Sequence, residues 1–90
     1  MMNSRYQNAL EIAIMFDDFM YEHDPYGYAD AFPCREEGIS NALELLLDGS
    51  ADALAGITEF FDDDIFTDDD IEYRERGVKI LEQINAFAGR

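Results

Sequence analysis

The chain has one cysteine, one histidine, two prolines and no tryptophan. A single thiol, Cys34, excludes an internal disulfide framework and fits a reducing compartment. A single histidine, His23, leaves no His-x-x-x-His metal pattern, and neither Cys-x-x-Cys nor a Gly-rich phosphate loop is present, so no metal or other cofactor is expected. No apolar run approaches the length of a membrane span. The opening stretch MMNSRYQNAL has no apolar segment behind a basic start, so no secretory signal is expected either. These gaps predict a soluble, cytoplasmic protein that does not engage a membrane. Positive charge is scarce too: six Lys and Arg stand against 21 Asp and Glu, a net charge of −15. Such a chain does not bind DNA, RNA or an anionic membrane through a basic surface. Its expected partner is a basic protein, and self-repulsion favours a monomer.

What is present is core material. Hydrophobic residues make up 48% of the chain and include seven Phe and four Met, which argues against disorder despite the charge. Ninety residues form a single domain, 1–90. The apolar periodicity is helical throughout, and no alternating pattern competes with it. A first helix is expected from Ser4, with Ser4 and Gln7 at capping-box spacing, to about Tyr21. Its inward stripe is Tyr6, Leu10, Ala13, Phe16 and Met20, with Ala9, Ile12 and Phe19 beside it. Asp24-Pro25 reads as an N-cap and first helical residue, which predicts a short turn near residues 24–31, weakened by Gly27. Tyr26, Tyr28 and Phe32 are expected to fold back onto the core. A second long helix should run from Pro33 to Leu47 and stop at Asp48-Gly49, with Ile39, Ala42, Leu43 and Leu46 inward. Ser50 should cap a third, from Ala51 to about Phe61, facing inward through Leu54, Ile57 and Phe60 or Phe61. Thr67, with Asp70 at N3, should cap a fourth, from Asp68 to about Phe87, with Ile71, Val78, Leu81, Ile84 and Ala88 inward. The fold class is therefore all-α, a compact bundle of about four helices.

The acids are unevenly spread. From Glu36 to Tyr73 there are 13 acids and no Lys or Arg. Within that segment, FFDDDIFTDDDIEY holds two Asp triplets, Asp62–Asp64 and Asp68–Asp70. Helix chemistry accounts for the second triplet, since carboxylates in a first helical turn are favoured by roughly 0.3–1 kcal/mol each. It does not account for the first, which follows a helix end, where the dipole opposes negative charge. A calcium loop fails on spacing. Counted from Asp62, Phe66 falls at position 5, Thr67 at 6 and Tyr73 at 12, where an oxygen ligand, Gly and Glu are needed. Counted from Asp64, Phe66 falls at position 3 and Asp69 at 6. An acidic solvated surface, including that of a salt-adapted proteome, accounts for composition but assigns the triplets no task.

Catalysis finds little support. His23 and Cys34 bracket a Pro-containing loop with no third partner, and a lone Cys just before a helix is expected to be packed. Paired carboxylates are too abundant for any one pair to point to a reaction, so the chain is expected not to be an enzyme. Fixed carboxylates do suit a cationic groove. Duplex DNA presents one negative charge per ~1.7 Å of its axis. A small rigid protein with acids over one side can occupy the groove that meets it. Ile65 and Phe66 would hold the triplet loop on the core, and binding would relieve the repulsion within the patch. The expected partner-binding residues are Glu59, Asp62, Asp63, Asp64, Asp68, Asp69, Asp70, Glu72 and Tyr73, with Tyr73 and Tyr28 as exposed aromatic anchors.

Small size, acidity, a helical core and the lack of a catalytic constellation resemble the small inhibitors that phages and mobile elements use against host defence, the anti-CRISPR and antirestriction proteins. The stretch DPYGYADAF…ISNALELLLDG…LAGITEFF is also similar to short helical modules in antirestriction-associated proteins of mobile elements in Gram-positive bacteria. The resemblance implies a partner, a CRISPR effector or other nuclease in the host bacterial cell, and a role, blocking its DNA or guide-RNA site by mimicry or by locking a conformation. Colicin-type immunity proteins are similarly small, acidic and four-helical, a resemblance that implies neutralisation of a nuclease toxin; this chain lacks their Tyr-Tyr-Pro signature, of which Asp24-Pro25-Tyr26-Gly27-Tyr28 is only a superficial echo. A third expectation, a protein–protein adaptor, requires an uncovered apolar patch, with Phe19, Met20, Phe32 and Phe60 as its candidates.

Overall fold

The computed structural model describes residues 4–59, 61 and 70–89. Phe60, the Asp62–Asp64 triplet, Ile65, Phe66, Thr67, Asp68 and Asp69 therefore lie outside the described residues. Five helices and no strand are found among those described: α1 (Ser4–His23), α2 (Pro25–Ala31), α3 (Arg35–Asp48), α4 (Ala51–Thr58) and α5 (Ile71–Phe87). The expected all-α bundle is what forms. None of these helices is long and apolar enough to cross a membrane.

Helix boundaries follow local chemistry. Ser4 is already inside α1 and so is not an outlying cap, and the helix runs on past Tyr21 to His23. The Asp24 carboxylate accepts the Gly27 N–H at 3.0 Å, and Pro25 fills the first position of α2, where a missing N–H costs nothing. Pro33 stays outside α3, and Cys34 is its N-cap. Gly49, at φ 72°, ends α3 in the left-handed conformation that suits glycine, and its N–H returns to the Leu45 carbonyl. The Ser50 hydroxyl accepts the Ala53 N–H at 3.1 Å to open α4, which stops at Thr58, short of Phe61. The start of α5 differs from expectation. Asp70 is itself the N-cap, its carboxylate accepting the Tyr73 N–H at 3.1 Å, so it cannot occupy N3.

α1 is the central element, packed against α3, α5 and α2. Both long neighbours run antiparallel to it. Arg5, near its start, donates to the Leu47 carbonyl at the end of α3 and lies over the Phe87 ring at the end of α5, whereas Glu22, near its end, pairs with Arg76 in the second turn of α5. The core is Ala9, Ile12, Ala13, Phe16 and Phe19 of α1 against Ala42 and Leu46, Ile57, Phe61, and Ile80 and Ile84. Phe61 is held between Phe16 and Phe19, at centroid distances of 5.6 and 5.9 Å.

Three expectations about the core are corrected. Tyr6 lies at the surface. Tyr26 is 86% exposed and does not fold back, unlike Tyr28, which is buried. In α5, Ile71 and Val78 face outward, and the inward stripe is Tyr73, Gly77, Ile80 and Ile84. The reason is Phe19. Its ring stacks on Tyr73 at 4.4 Å, which turns α5 so that Ile71 and Val78 lie on the opposite side.

Two glycines should respond oppositely to alanine. A Cβ on buried Gly38 of α3 would collide with the Tyr28 hydroxyl and the Asp17 carboxylate, whereas at Gly56 of α4 the nearest atom is the Leu45 Cδ1 at 3.9 Å. Gly56→Ala should stabilise by about 0.5–1 kcal/mol through helix propensity. Gly38→Ala should destabilise by about 1–3 kcal/mol despite the same gain. Urea unfolding of the two variants checks both signs.

Candidate partner-binding surface

The surface is built on a buried carboxylate. Asp17 of α1 has 0% exposure, among apolar neighbours in the core. Such a charge persists only when paired and hydrogen-bonded. Its Oδ1 accepts the Tyr28 hydroxyl at 2.6 Å, and its Oδ2 accepts the Arg35 Nε–H at 2.6 Å. Arg35 also pairs with Asp18, and its guanidinium lies over the Tyr21 and Tyr28 rings at 5.0 and 5.7 Å. Gly38, one turn into α3, leaves the space in which Asp17 and Tyr28 meet. One carboxylate thus fixes both α2 and the start of α3 on α1. Burial, then the bond to Asp17, pushes the Tyr28 phenol up to about 12, and the same Asp17 bond raises Arg35 further above its already high value.

What this clasp positions is the outer face of α3. A depression of about 510 Å³ lies between α2 and α3, walled by Phe32 and Cys34 and lined by Glu36, Glu37, Asn41 and Glu44. Glu37, Asn41 and Glu44 share a face by i, i+4, i+7 spacing. Cys34 is exposed, contrary to the packed position expected of it. No described base comes within ion-pair distance of Glu36, Glu37 or Glu44, nor of Asp52 or Glu59. Three bases are committed elsewhere: Arg35 to Asp17 and Asp18, Arg76 to Glu22 at 2.5 Å, and Arg5 to the end of α3. Among the described residues, no three His, Cys, Asp or Glu side chains converge as a metal site requires.

The residues expected to bind a partner are placed unevenly. Glu59 is exposed at the end of α4. Asp70 is exposed but serves as the α5 cap. Glu72 is exposed in the first turn of α5, in a depression it shares with Glu75, Arg76 and Lys79, so bases stand beside it. Tyr73 is half-buried, stacked on Phe19 and, at 6.0 Å, on His23. Tyr28, expected as an exposed anchor, is buried instead. Phe19, a candidate for the uncovered apolar patch, is likewise in the core, at 0% exposure. Glu36, Glu37 and Glu44 do not stand out in the sequence, where the Asp triplets are denser. Their shared face was readable from helical spacing.

The clasp makes an asymmetric prediction. Arg35→Met leaves a fully buried carboxylate with one hydroxyl partner and should cost about 3 kcal/mol. Asp17→Asn keeps an acceptor for Tyr28 and leaves Arg35 on Asp18, and should cost about 1 kcal/mol. Chemical denaturation checks the order. The raised Tyr28 phenol also has a sign. The folded state holds its proton more tightly, so this contribution is intact below the unfolded value of about 10 and is lost as pH rises towards about 12. Tyr28→Phe should flatten the fall in stability over that alkaline window, as followed by circular dichroism.

Comparison with protein-family models, with curated proteins and with solved structures finds no match to this chain.

Proposed function

We propose that this protein is a non-enzymatic inhibitor that binds the basic nucleic-acid-binding surface of a bacterial defence nuclease, of the anti-CRISPR or antirestriction type, by setting carboxylates where phosphates would lie. The observation that carries the reading is the base-free face of α3. Glu36, Glu37 and Glu44 are exposed, stand on a rigid helix, and are not neutralised by any described base. Rigidity matters because a flexible acidic tail loses more entropy on binding. The Asp17–Arg35 clasp supplies it, since the first turn of α3 is tied to the core. Charge complementarity of this kind speeds encounter and weakens with salt.

The test is inhibition of DNA cleavage by a panel of CRISPR effectors and restriction nucleases, with binding measured at increasing NaCl. The expected result is inhibition of at least one nuclease, a steep fall in affinity with salt, and a loss of about tenfold or more in the Glu36→Gln, Glu37→Gln, Glu44→Gln triple variant with its helicity unchanged. Unaltered inhibition by that variant would remove the α3 face from the mechanism. A second reading, a helical adaptor that docks through apolar contacts, draws on Tyr26, the most exposed large hydrophobic residue described. It predicts salt-insensitive binding that Tyr26→Ala abolishes.

A further inference from the structure

We infer that α2 is a hinged flap, latched to the bundle through Tyr28, whose opening takes away one wall of the depression on α3. The helix has seven residues, fewer than an isolated helix needs to hold its shape in water. Helical geometry is broken on both sides of it. Asp24 has φ −151° and ψ 86°; after α2 the chain is extended at Phe32 and again at Cys34. The chain can turn at these points without unwinding α1 or α3. Tyr28 is the one buried residue of α2, and every other residue of the helix is exposed. What holds α2 therefore converges on one side chain. Its hydroxyl donates to Asp17, and its ring meets Tyr21 of α1 edge-on at 5.3 Å and lies beneath the Arg35 guanidinium.

The start of α3 is held differently. Ala42 and Leu46 bury that helix in the core, and Arg35 has a second carboxylate, Asp18. Releasing Tyr28 thus frees α2 and leaves α3 in place. Asp17 is not stranded when this happens: its Oδ2 keeps Arg35, and the departing ring admits water to Oδ1. The opening loses one hydrogen bond and the burial of one ring, a small part of what global unfolding loses. It also changes the surface. Ala31 leaves the depression with α2, and so does Phe32, whose ring packs on Tyr28 at 5.3 Å, while Glu36, Glu37 and Glu44 stay on their helix. Closed, these acids stand beside an aromatic wall; open, they stand on a bare helix face. That the flap sets which form a partner meets rests on the role proposed above for the α3 face. The flap itself does not, and is tested on the free chain.

Native-state hydrogen exchange of the full chain, read by NMR, is the test. The probes are the Tyr28 and Phe32 amides, which donate to the Asp24 and Tyr28 carbonyls at 2.9 Å, set against the amides of Ala13 and Ala42 in the core. In the wild type the two α2 amides should be protected alike, about tenfold or more below the core amides. Tyr28→Phe should speed their exchange by about tenfold or more. Ile84→Val opens a small cavity at the end of α5 that lies beside the start of α1. It should speed the core amides by about two- to tenfold and leave the α2 amides unchanged, because α2 opens without the core. Equal protection of α2 and the core in the wild type overturns the inference, as does acceleration of the α2 amides by Ile84→Val, since α2 would then open only with the whole fold. Unchanged α2 exchange in Tyr28→Phe, or α2 amides with no protection at all, overturns it too, because either removes the latch. Both substitutions keep most of the side chain, and circular dichroism confirms that the helices persist.

Discussion

A carboxylate with no access to water sets the terms for this fold. Asp17 lies on the central helix with 0% exposure, and the cost of removing an ion from water is several kcal/mol. Three features answer that cost: the Tyr28 hydroxyl, the Arg35 guanidinium and the missing side chain of Gly38. They come from α2 and α3, which must therefore sit where they do or leave a charge stranded. Apolar packing alone tolerates sliding and rotation of helices. A carboxylate that needs two directed donors does not, so the clasp selects one arrangement of α2 and α3 on α1 more than it adds to net stability.

The same interaction divides the surface electrically. In a chain with so few bases, each cation spent on one carboxylate is withheld from another. Arg35 and Arg76 are drawn towards Asp17, Asp18 and Glu22, all on α1. The outer face of α3 is left with Glu36, Glu37 and Glu44 along one depression. Acidity there follows from where the bases go as much as from where the acids are. Glu72, which the sequence groups with the triplets, stands near Arg76 and Lys79 and belongs to a mixed surface. On α1 and α5 opposite charges share a seam; on α3 they do not.

Much of the fold was legible because its signals are local. Asp24-Pro25, Asp48-Gly49 and Ser50 each act within three or four residues, and the helices begin or end at them. What escaped depends on contacts across the chain. Asp17 and Asp18 read alike in sequence, yet one is buried, for reasons supplied 11 and 18 residues away by Tyr28 and Arg35. In α5, Leu81 and Ile84 pack inward as expected, but Ile71 and Val78 looked as apolar as Tyr73 and Ile80. Only the stacking of Tyr73 on Phe19 decides between them. Site residues were harder still. Charge is densest in the sequence at the triplets, whereas a binding face depends on which acids share an orientation and lack a neighbouring base.

The cap at Asp70 separates two properties that usually change together. Its carboxylate carries charge, and it also accepts the Tyr73 N–H that opens α5. Asparagine matches aspartate as an N-cap, because the neutral amide oxygen accepts the same bond. Alanine removes both, at about 1 kcal/mol for the cap alone. An uncharged residue at position 70 is thus compatible with α5 still anchored at its start, and with it the Tyr73–Phe19 stack that orients the helix. Electrostatics and architecture can here be varied independently, one atom type at a time.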